Sequence, residues 1–117
     1  MPMKAALLGL AHPHAGILLT TLENLPEITA VSLWDADPAV AAKPPPPDSR
    51  KAIRATTDLD AVLGQADLLF AIVCVPTDQS ATLCRRVLAA GKHLLAEKPV
   101  GLTSSEICAV QAEAASR

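Results

Sequence analysis

The feature of this sequence that most constrains its fold is a set of short, uninterrupted apolar runs. KAALLGL occupies residues 4–10, and DLLFAIVCVP occupies residues 67–76. Runs of this length without alternating polar residues are typical of strands buried on both faces, as in parallel sheets covered by helices. Three further segments predict strands: ITAVSLWD at 28–35, the weaker AIRAT at 52–56 and KHLLAEKP at 92–99.

Helical patterns separate these strands. The first predicted helix covers residues 13–25, with Pro13 in its first turn, where a missing N–H costs nothing. Thr57 and Asp60 predict a capping box for a short helix that ends near Gly64. One face of the first helix is apolar and is expected to be buried; it comprises Ala15, Leu18, Leu22 and Leu25.

Two more helices follow the strand at 67–76. One is predicted over residues 79–90, with Gly91 as its end, and the last begins at a capping box formed by Thr103 and Glu106. In the first of these, Arg85 and Arg86 should face solvent. The residues expected to be buried are Leu83, Val87 and Leu88 in the first helix and Ile107, Val110 and Ala114 in the last.

This alternation of strands and helices predicts right-handed crossovers and a mainly parallel sheet. We therefore expect an α/β, doubly wound domain with the strand order 3-2-1-4-5. The 117 residues, half of them apolar, are enough for a single domain with one core. Four consecutive prolines, Pro44–Pro47, can join neither a helix nor a sheet interior, so they predict an extended surface loop.

Composition excludes several classes of function. The net charge of −2 gives no reason to expect a nucleic-acid surface, and no stretch approaches the roughly 20 apolar residues of a membrane span. The three cysteines, Cys74, Cys84 and Cys108, lie within apolar patterns without C-x-x-C spacing, so we expect buried, reduced thiols in a cytoplasmic protein. No carboxylate or thiol is spaced to join the three histidines in a metal site.

In an open parallel sheet, ligands bind at the carboxyl ends of the strands, where the strand order reverses. Four candidate segments are predicted to meet there: Gly9–His14, Asp35, Val75–Thr77 and Glu97–Pro99. Each alone is a weak signal. Their placement at successive strand ends is a stronger indication of a binding cleft than any single motif.

The first segment, GLAHPHAG at residues 9–16, departs from the dinucleotide-binding pattern G-x-G-x-x-G. Gly9 suits the tight turn, and the following helix would direct free N–H groups at a pyrophosphate. Ala11 adds one methyl group, and His14 replaces the third glycine. Either the imidazole of His14 turns outward into the cleft, or Gly16 makes the close contact in a longer turn. A third interpretation is that His12 and His14 only cap and cover a helix end.

Asp35 ends the second predicted strand, where a carboxylate accepts hydrogen bonds from adenosine ribose hydroxyls. A 2′-phosphate placed ~4 Å from this charge would be repelled by ~4 kcal/mol at an effective dielectric of ~20. NAD is therefore expected rather than NADP, unless Lys43, Arg50 or Lys51 compensates. The alternative is that Asp35 serves only as a turn residue in DADP.

The segment LLAEKPVGLTSSE resembles the E-K-P signature of the Gfo/Idh/MocA oxidoreductases, and nearly the whole chain is similar to that family's Rossmann-like NAD-binding domain. The resemblance places Glu97 to Pro99 at the nicotinamide end of the cleft. It implies that Lys98 orients or polarises the substrate hydroxyl and that Pro99 shapes the loop. Two departures stand out: Ser80 replaces a histidine usual in the family, and the family's second, substrate-binding domain is absent from residues 1–117.

The leading hypothesis is an NAD-binding domain of a dehydrogenase that transfers hydride between NAD(H) and a sugar, polyol or related hydroxy compound. These 117 residues alone are expected to be inactive. One alternative is a non-catalytic Rossmann-like module that has lost its cofactor and serves association or regulation. An open sheet edge could pair with another chain, for example a second copy. Another adenine ligand, such as S-adenosylmethionine, is the third candidate.

Overall fold

The computed structural model describes residues 3–117, which form a five-stranded sheet covered by helices. The strands lie in the order β3-β2-β1-β4-β5, and every neighbouring pair is parallel. This confirms the predicted α/β class and strand order. The strand bounds are β1 Met3–Leu8, β2 Ile28–Trp34, β3 Ala52–Thr56, β4 Leu68–Val73 and β5 His93–Ala96.

The helices cover both faces of the sheet. Their bounds are α1 Ala15–Glu23, α2 Pro38–Ala41, α3 Leu59–Leu63, α4 Thr77–Ala89 and α5 Ser104–Ala115. Successive residues of β1 belong to different cores: Ala5 and Leu7 pack with α1, and Ala6 and Leu8 pack with α3 and α4. The apolar run in β1 is uninterrupted because neither face meets water. Within residues 3–117, no helix combines the length and apolarity that a membrane crossing requires.

Helix α1 differs from its prediction at both ends. Pro13 lies in the turn before the helix, and the helix begins at Ala15. The Ala15 N–H donates to the His12 carbonyl at 3.0 Å. The buried face consists of Ala15, Leu19 and Leu22, whereas Leu18 is only half-buried. Leu25 was expected to be buried but is 38% exposed, because the helix ends at Glu23.

Helix α3 begins one residue later than predicted. Its cap is Asp58, whose carboxylate accepts from the Ala61 N–H at 3.1 Å, so the predicted Thr57–Asp60 capping box is wrong. Asp58 caps the helix in place of Thr57 because a carboxylate is a stronger hydrogen-bond acceptor than a hydroxyl. Helix α4 starts at Thr77 rather than at residue 79, and its predicted buried and exposed residues and its end at Gly91 are confirmed.

The C-terminal helix α5 has the predicted capping box between Thr103 and Glu106. Its buried face is narrower than expected: Val110 is buried, Ile107 is only half-buried and Ala114 is exposed. Cys108 is exposed as well. The reason is that α5 packs against α4 and makes few contacts with the sheet. The expectation that all three cysteines are buried is therefore wrong for Cys108.

The turn after β1 lies between the carboxyl ends of β2 and β4 and contacts both. Gly9 has φ +104°, a conformation that side chains rarely adopt, and its N–H donates to the Trp34 carbonyl at 2.8 Å. A Cβ atom here would lie 2.7 Å from the carbonyl carbon of Cys74 and 2.9 Å from the Val75 side chain. Only glycine fits this backbone crossing.

Replacing Gly9 by alanine should therefore cost more than ~3 kcal/mol in free energy of unfolding, because positive φ and backbone overlap act together. The matched control is Gly16→Ala in α1, where an added Cβ would meet nothing within 4 Å. That change should be neutral or stabilise by up to ~1 kcal/mol. Urea denaturation measures both, and equal stabilities for the two variants would contradict the account of the turn.

Candidate functional site

The carboxyl ends of four strands meet at one edge of the sheet. The parallel register places Leu8 of β1 opposite both Trp34 and Val73, and Val73 opposite Ala96 of β5. The residue that follows each strand therefore lies on the same edge. These four residues are Gly9, Asp35, Cys74 and Glu97.

A cavity of about 370 Å³ opens at this edge. Six of the predicted site residues line it: Gly9, Ala11, His12, Asp35, Val75 and Pro76. Five lining residues were not predicted as site residues: Ala36, Asp37, Val40, Cys74 and Gln79. The glycine turn, the end of β2 and the end of β4 thus share one cleft.

The other six predicted residues do not line this cavity. Pro13 is exposed in the turn before α1, and Thr77 is the first residue of α4. Glu97 lies next to the exposed residues Lys98 and Pro99, on the far side of β4 from Asp35. His14 lies against Glu97, with 3.3 Å between Nδ1 and Oε1.

Asp35 joins the turn after β1 to the end of β2. Its Oδ2 accepts from the Leu10 N–H and its Oδ1 from the Asp37 N–H, both at 2.9 Å. The carboxylate is thus a turn residue and a cavity-lining residue at once. Since an ionised carboxylate has about four lone-pair sites, two backbone bonds leave capacity for ligand hydroxyls.

Asp37 brings a second carboxylate to the cavity. Its Oδ1 also accepts from the Ala39 N–H at 2.9 Å and so caps α2. No lysine or arginine is found among the residues of 3–117 that line this cavity. Arg50 and Lys51 precede β3, at the opposite edge of the sheet, and Lys51 Nζ donates to the Leu25 carbonyl at 2.9 Å. They are therefore too far away to neutralise Asp35.

The two histidines of the turn are held in different environments. The His14 N–H donates to Nδ1 of His12 at 3.0 Å, and the rings meet edge-to-face with centroids 4.8 Å apart. A nitrogen that accepts this bond carries no proton, so neutral His12 is protonated at Nε2. His12 lines the cavity with a ring that has one fixed donor.

His14 points outward, and its side chain is 57% exposed. Gly16 makes no close contact, so the interpretation of a longer turn is wrong. No side chain caps α1, which leaves N–H groups of its first turn without a helical partner. The turn, the uncapped helix start and the absence of a side chain at Gly9 together fit a phosphate group near the cavity.

Cys74 lines the cavity, but it is only 2% exposed and packs in the core with Ala5 and Leu7. Burial raises its pKa above the ordinary value of 9.0, and the charge of Glu97 raises it further. Burial likewise raises the pKa of Cys84. Cys74 is therefore protonated at neutral pH and adds no charge to the cleft. In the described part of the chain, no three histidine, cysteine, aspartate or glutamate residues are grouped to hold a metal ion.

Strand order, glycine turn and cleft define a Rossmann domain of the dinucleotide-binding type. The family model described as "Oxidoreductase family, NAD-binding Rossmann fold" (GFO_IDH_MocA) matches residues 4–117, and the chain belongs to this family. This confirms the resemblance carried by the E-K-P segment. No curated protein matches the chain in sequence.

Solved structures share the fold over the whole chain. One is KijD10, a 3-ketoreductase from Actinomadura kijaniata in complex with NADP and TDP-benzene, with 24% identity, a TM-score of 0.80 and coverage of 100% of this chain and 35% of that one. Another is a proposed myo-inositol dehydrogenase from Sinorhizobium meliloti 1021, with 24% identity, a TM-score of 0.78 and coverage of 97% and 33%. The chain thus spans about a third of these proteins.

The exposure of the three thiols generates a direct test. At pH 7, iodoacetamide should modify Cys108 quickly, whereas Cys74 and Cys84 should react only after unfolding, because both are buried and protonated. Mass spectrometry of the labelled chain measures the order, with labelling in 8 M urea as the control. Modification of Cys74 as fast as that of Cys108 would contradict the burial of its thiol.

Proposed function

We propose that this chain binds NAD in preference to NADP, as the nucleotide-binding domain of an oxidoreductase that transfers hydride between NAD(H) and a sugar, polyol or related hydroxy compound. The observation that carries the proposal is the cavity beside Gly9, whose lining includes two carboxylates and neither lysine nor arginine. Family membership supports the cofactor class. Transfer of hydride is the chemistry that the bound nicotinamide supplies.

The pyrophosphate is assigned to the turn between β1 and α1. Gly9 allows the backbone to approach closely, and the uncapped start of α1 offers N–H donors with the favourable end of the helix dipole. The Nε2–H group of His12 provides a further donor from the cavity wall. Ala11 takes the place of a glycine here at the cost of one methyl group.

The adenosine ribose is assigned to Asp35, with Asp37 beside it. Each carboxylate would repel a 2′-phosphate by ~4 kcal/mol at ~4 Å and an effective dielectric of ~20. Even one such interaction corresponds to about a thousandfold loss of affinity. Lys43 does not line this cavity but a neighbouring one, together with the prolines of residues 44–46.

The nicotinamide is assigned to the side of β4 where Glu97 follows β5. Lys98, the next residue, forms no ion pair or hydrogen bond with the rest of the described chain, so its ammonium group is free to donate to a substrate hydroxyl or carbonyl oxygen. Val75, Pro76 and Thr77 at the end of β4 would border this half of the cofactor. We expect no turnover from these 117 residues alone, which span about a third of the length of the solved structures that share the fold.

Calorimetric titration tests the cofactor assignment. NAD should bind at least about a hundredfold more tightly than NADP, and Asp37→Asn should reduce this preference at least tenfold while the amide still caps α2. Asp35→Asn should weaken NAD binding itself. The control is Asp48→Asn in the exposed proline loop, which should leave both affinities unchanged.

Two outcomes would overturn the proposal. Equal affinity of the unaltered chain for NAD and NADP would contradict the role of the two carboxylates. Absence of binding at millimolar cofactor would favour a non-catalytic module instead. S-adenosylmethionine, included as a competitor, should fail to displace NAD.

A further inference from the structure

A second cavity, of about 230 Å³, lies between α1 and the proline loop of residues 44–47, beside the cavity assigned to the cofactor. Leu7 of β1 and Leu33 of β2 form its floor, and both are almost completely buried. Gly16 and Leu19 of α1 line one wall, and three of the loop prolines line the other. The cavity therefore reaches from the surface to the sheet over an almost wholly apolar lining.

The cavity exists because the crossover from β2 to β3 contains very little helix. Helix α2 comprises only Pro38–Ala41, and the four prolines that follow cannot extend it. In an α/β sheet, helices normally cover the apolar faces of the strands. Here the proline loop takes the place of most of a helix and leaves a gap beside α1.

Glu23, at the end of α1, fixes the far end of the proline loop. Its carboxylate accepts from the Ser49 hydroxyl, from the Arg50 N–H at 3.0 Å and from the Lys51 N–H at 3.2 Å. The hydrogen bond from Ser49 holds the pKa of Glu23 below its ordinary value, so the carboxylate is ionised at neutral pH and keeps these bonds. A stiff loop that is fixed in this way does not fold down onto α1, so the gap is preformed.

Lys43 gives the second cavity its single charge. The residue is exposed, its ammonium group forms no ion pair or hydrogen bond within residues 3–117, and no carboxylate lines the cavity there. The cofactor cavity has the opposite character, with Asp35 and Asp37 and no basic residue, and the two linings share only Ala11 and Val40. An apolar anion would therefore be repelled from the first cavity and attracted to the second.

We propose that the second cavity binds a small carboxylic acid with an apolar body, whose carboxylate pairs with Lys43 while its hydrocarbon part lies against Leu7 and Leu33. An apolar cavity of ~150 Å³ accommodates benzene, so one of about 230 Å³ accommodates about nine non-hydrogen atoms. Hexanoate is of this size. A sugar or polyol is disfavoured because its hydroxyls would lose their hydrogen bonds to water against an apolar floor. The inference goes beyond the proposed function and does not depend on cofactor binding.

Methyl ¹H–¹³C spectra of the full chain, recorded without cofactor, test the site with hexanoate as the probe. Saturable shifts are expected at Leu7, Leu19 and Leu33, with a dissociation constant on the order of millimolar, since about five CH₂-sized groups leave water. Val87 packs in the core on the other face of the sheet, so its methyl groups should not shift. Absence of saturable shifts at the three leucines, at about tenfold higher hexanoate concentration, would overturn the inference.

Reversal of the charge at residue 43 tests the carboxylate assignment. Lys43→Glu should weaken hexanoate binding about fivefold or more, because an attraction becomes a repulsion. It should leave the affinity for 1-hexanol, which has the same chain without the charge, within about twofold. The control Arg54→Glu changes the net charge equally at an exposed residue outside the cavity and should alter neither affinity. Equal effects of Lys43→Glu on the two ligands, or none on either, would contradict the assignment.

Filling the cavity from α1 tests its location. An added Cβ at Gly16 would meet nothing within 4 Å, so Gly16→Leu should fold normally and prevent both ligands from binding. Thr21→Leu places a similar side chain on the exposed face of α1, outside the cavity, and should leave binding unchanged. Urea denaturation verifies that both variants are folded. Undiminished hexanoate binding to folded Gly16→Leu would place the ligand elsewhere and overturn the inference.

Discussion

The close crossing of Gly9 over the end of β4 is the constraint on which the rest of the site depends. Because a Cβ atom would overlap the Cys74 carbonyl group, the chain can leave β1 only in this way with glycine at this position. The crossing directs the Leu10 N–H to Asp35 and starts the turn that carries both histidines. The same turn lines the cavity with Gly9 and His12 and brings His14 against Glu97.

The architecture could be predicted from the sequence because a strand that is buried on both faces has an uninterrupted apolar run. The uninterrupted apolar run of β1 indicated a central strand, and the structure places it between β2 and β4. Helix ends were less predictable, since neighbouring polar residues compete for one cap. At residues 57–60 the cap is Asp58 and not Thr57, whereas at residues 103–106 the Glu106 carboxylate accepts from the Thr103 N–H and completes the capping box that was predicted correctly.

The site was predictable only in part, for a physical reason. Strand ends fix backbone positions, so Gly9, Asp35 and the residues after β4 could be assigned to one edge from sequence. Side-chain direction depends on packing, and the pairing of His14 with Glu97, 83 positions later, leaves no periodic signal. Asp37 was overlooked because the segment DADP predicted only a turn, and nothing in it indicated the short α2 that Asp37 caps beside the cavity.

The central claim is that the carboxyl edge of this sheet is one continuous dinucleotide cleft. A crystal structure of the chain with NAD tests it most directly. The account predicts the pyrophosphate beside Gly9 and the start of α1, a ribose hydroxyl within 3.2 Å of the Asp35 carboxylate, and the nicotinamide on the Glu97 side of β4. Cofactor density in the cavity between α1 and the proline loop, with the Gly9 turn empty, would contradict it.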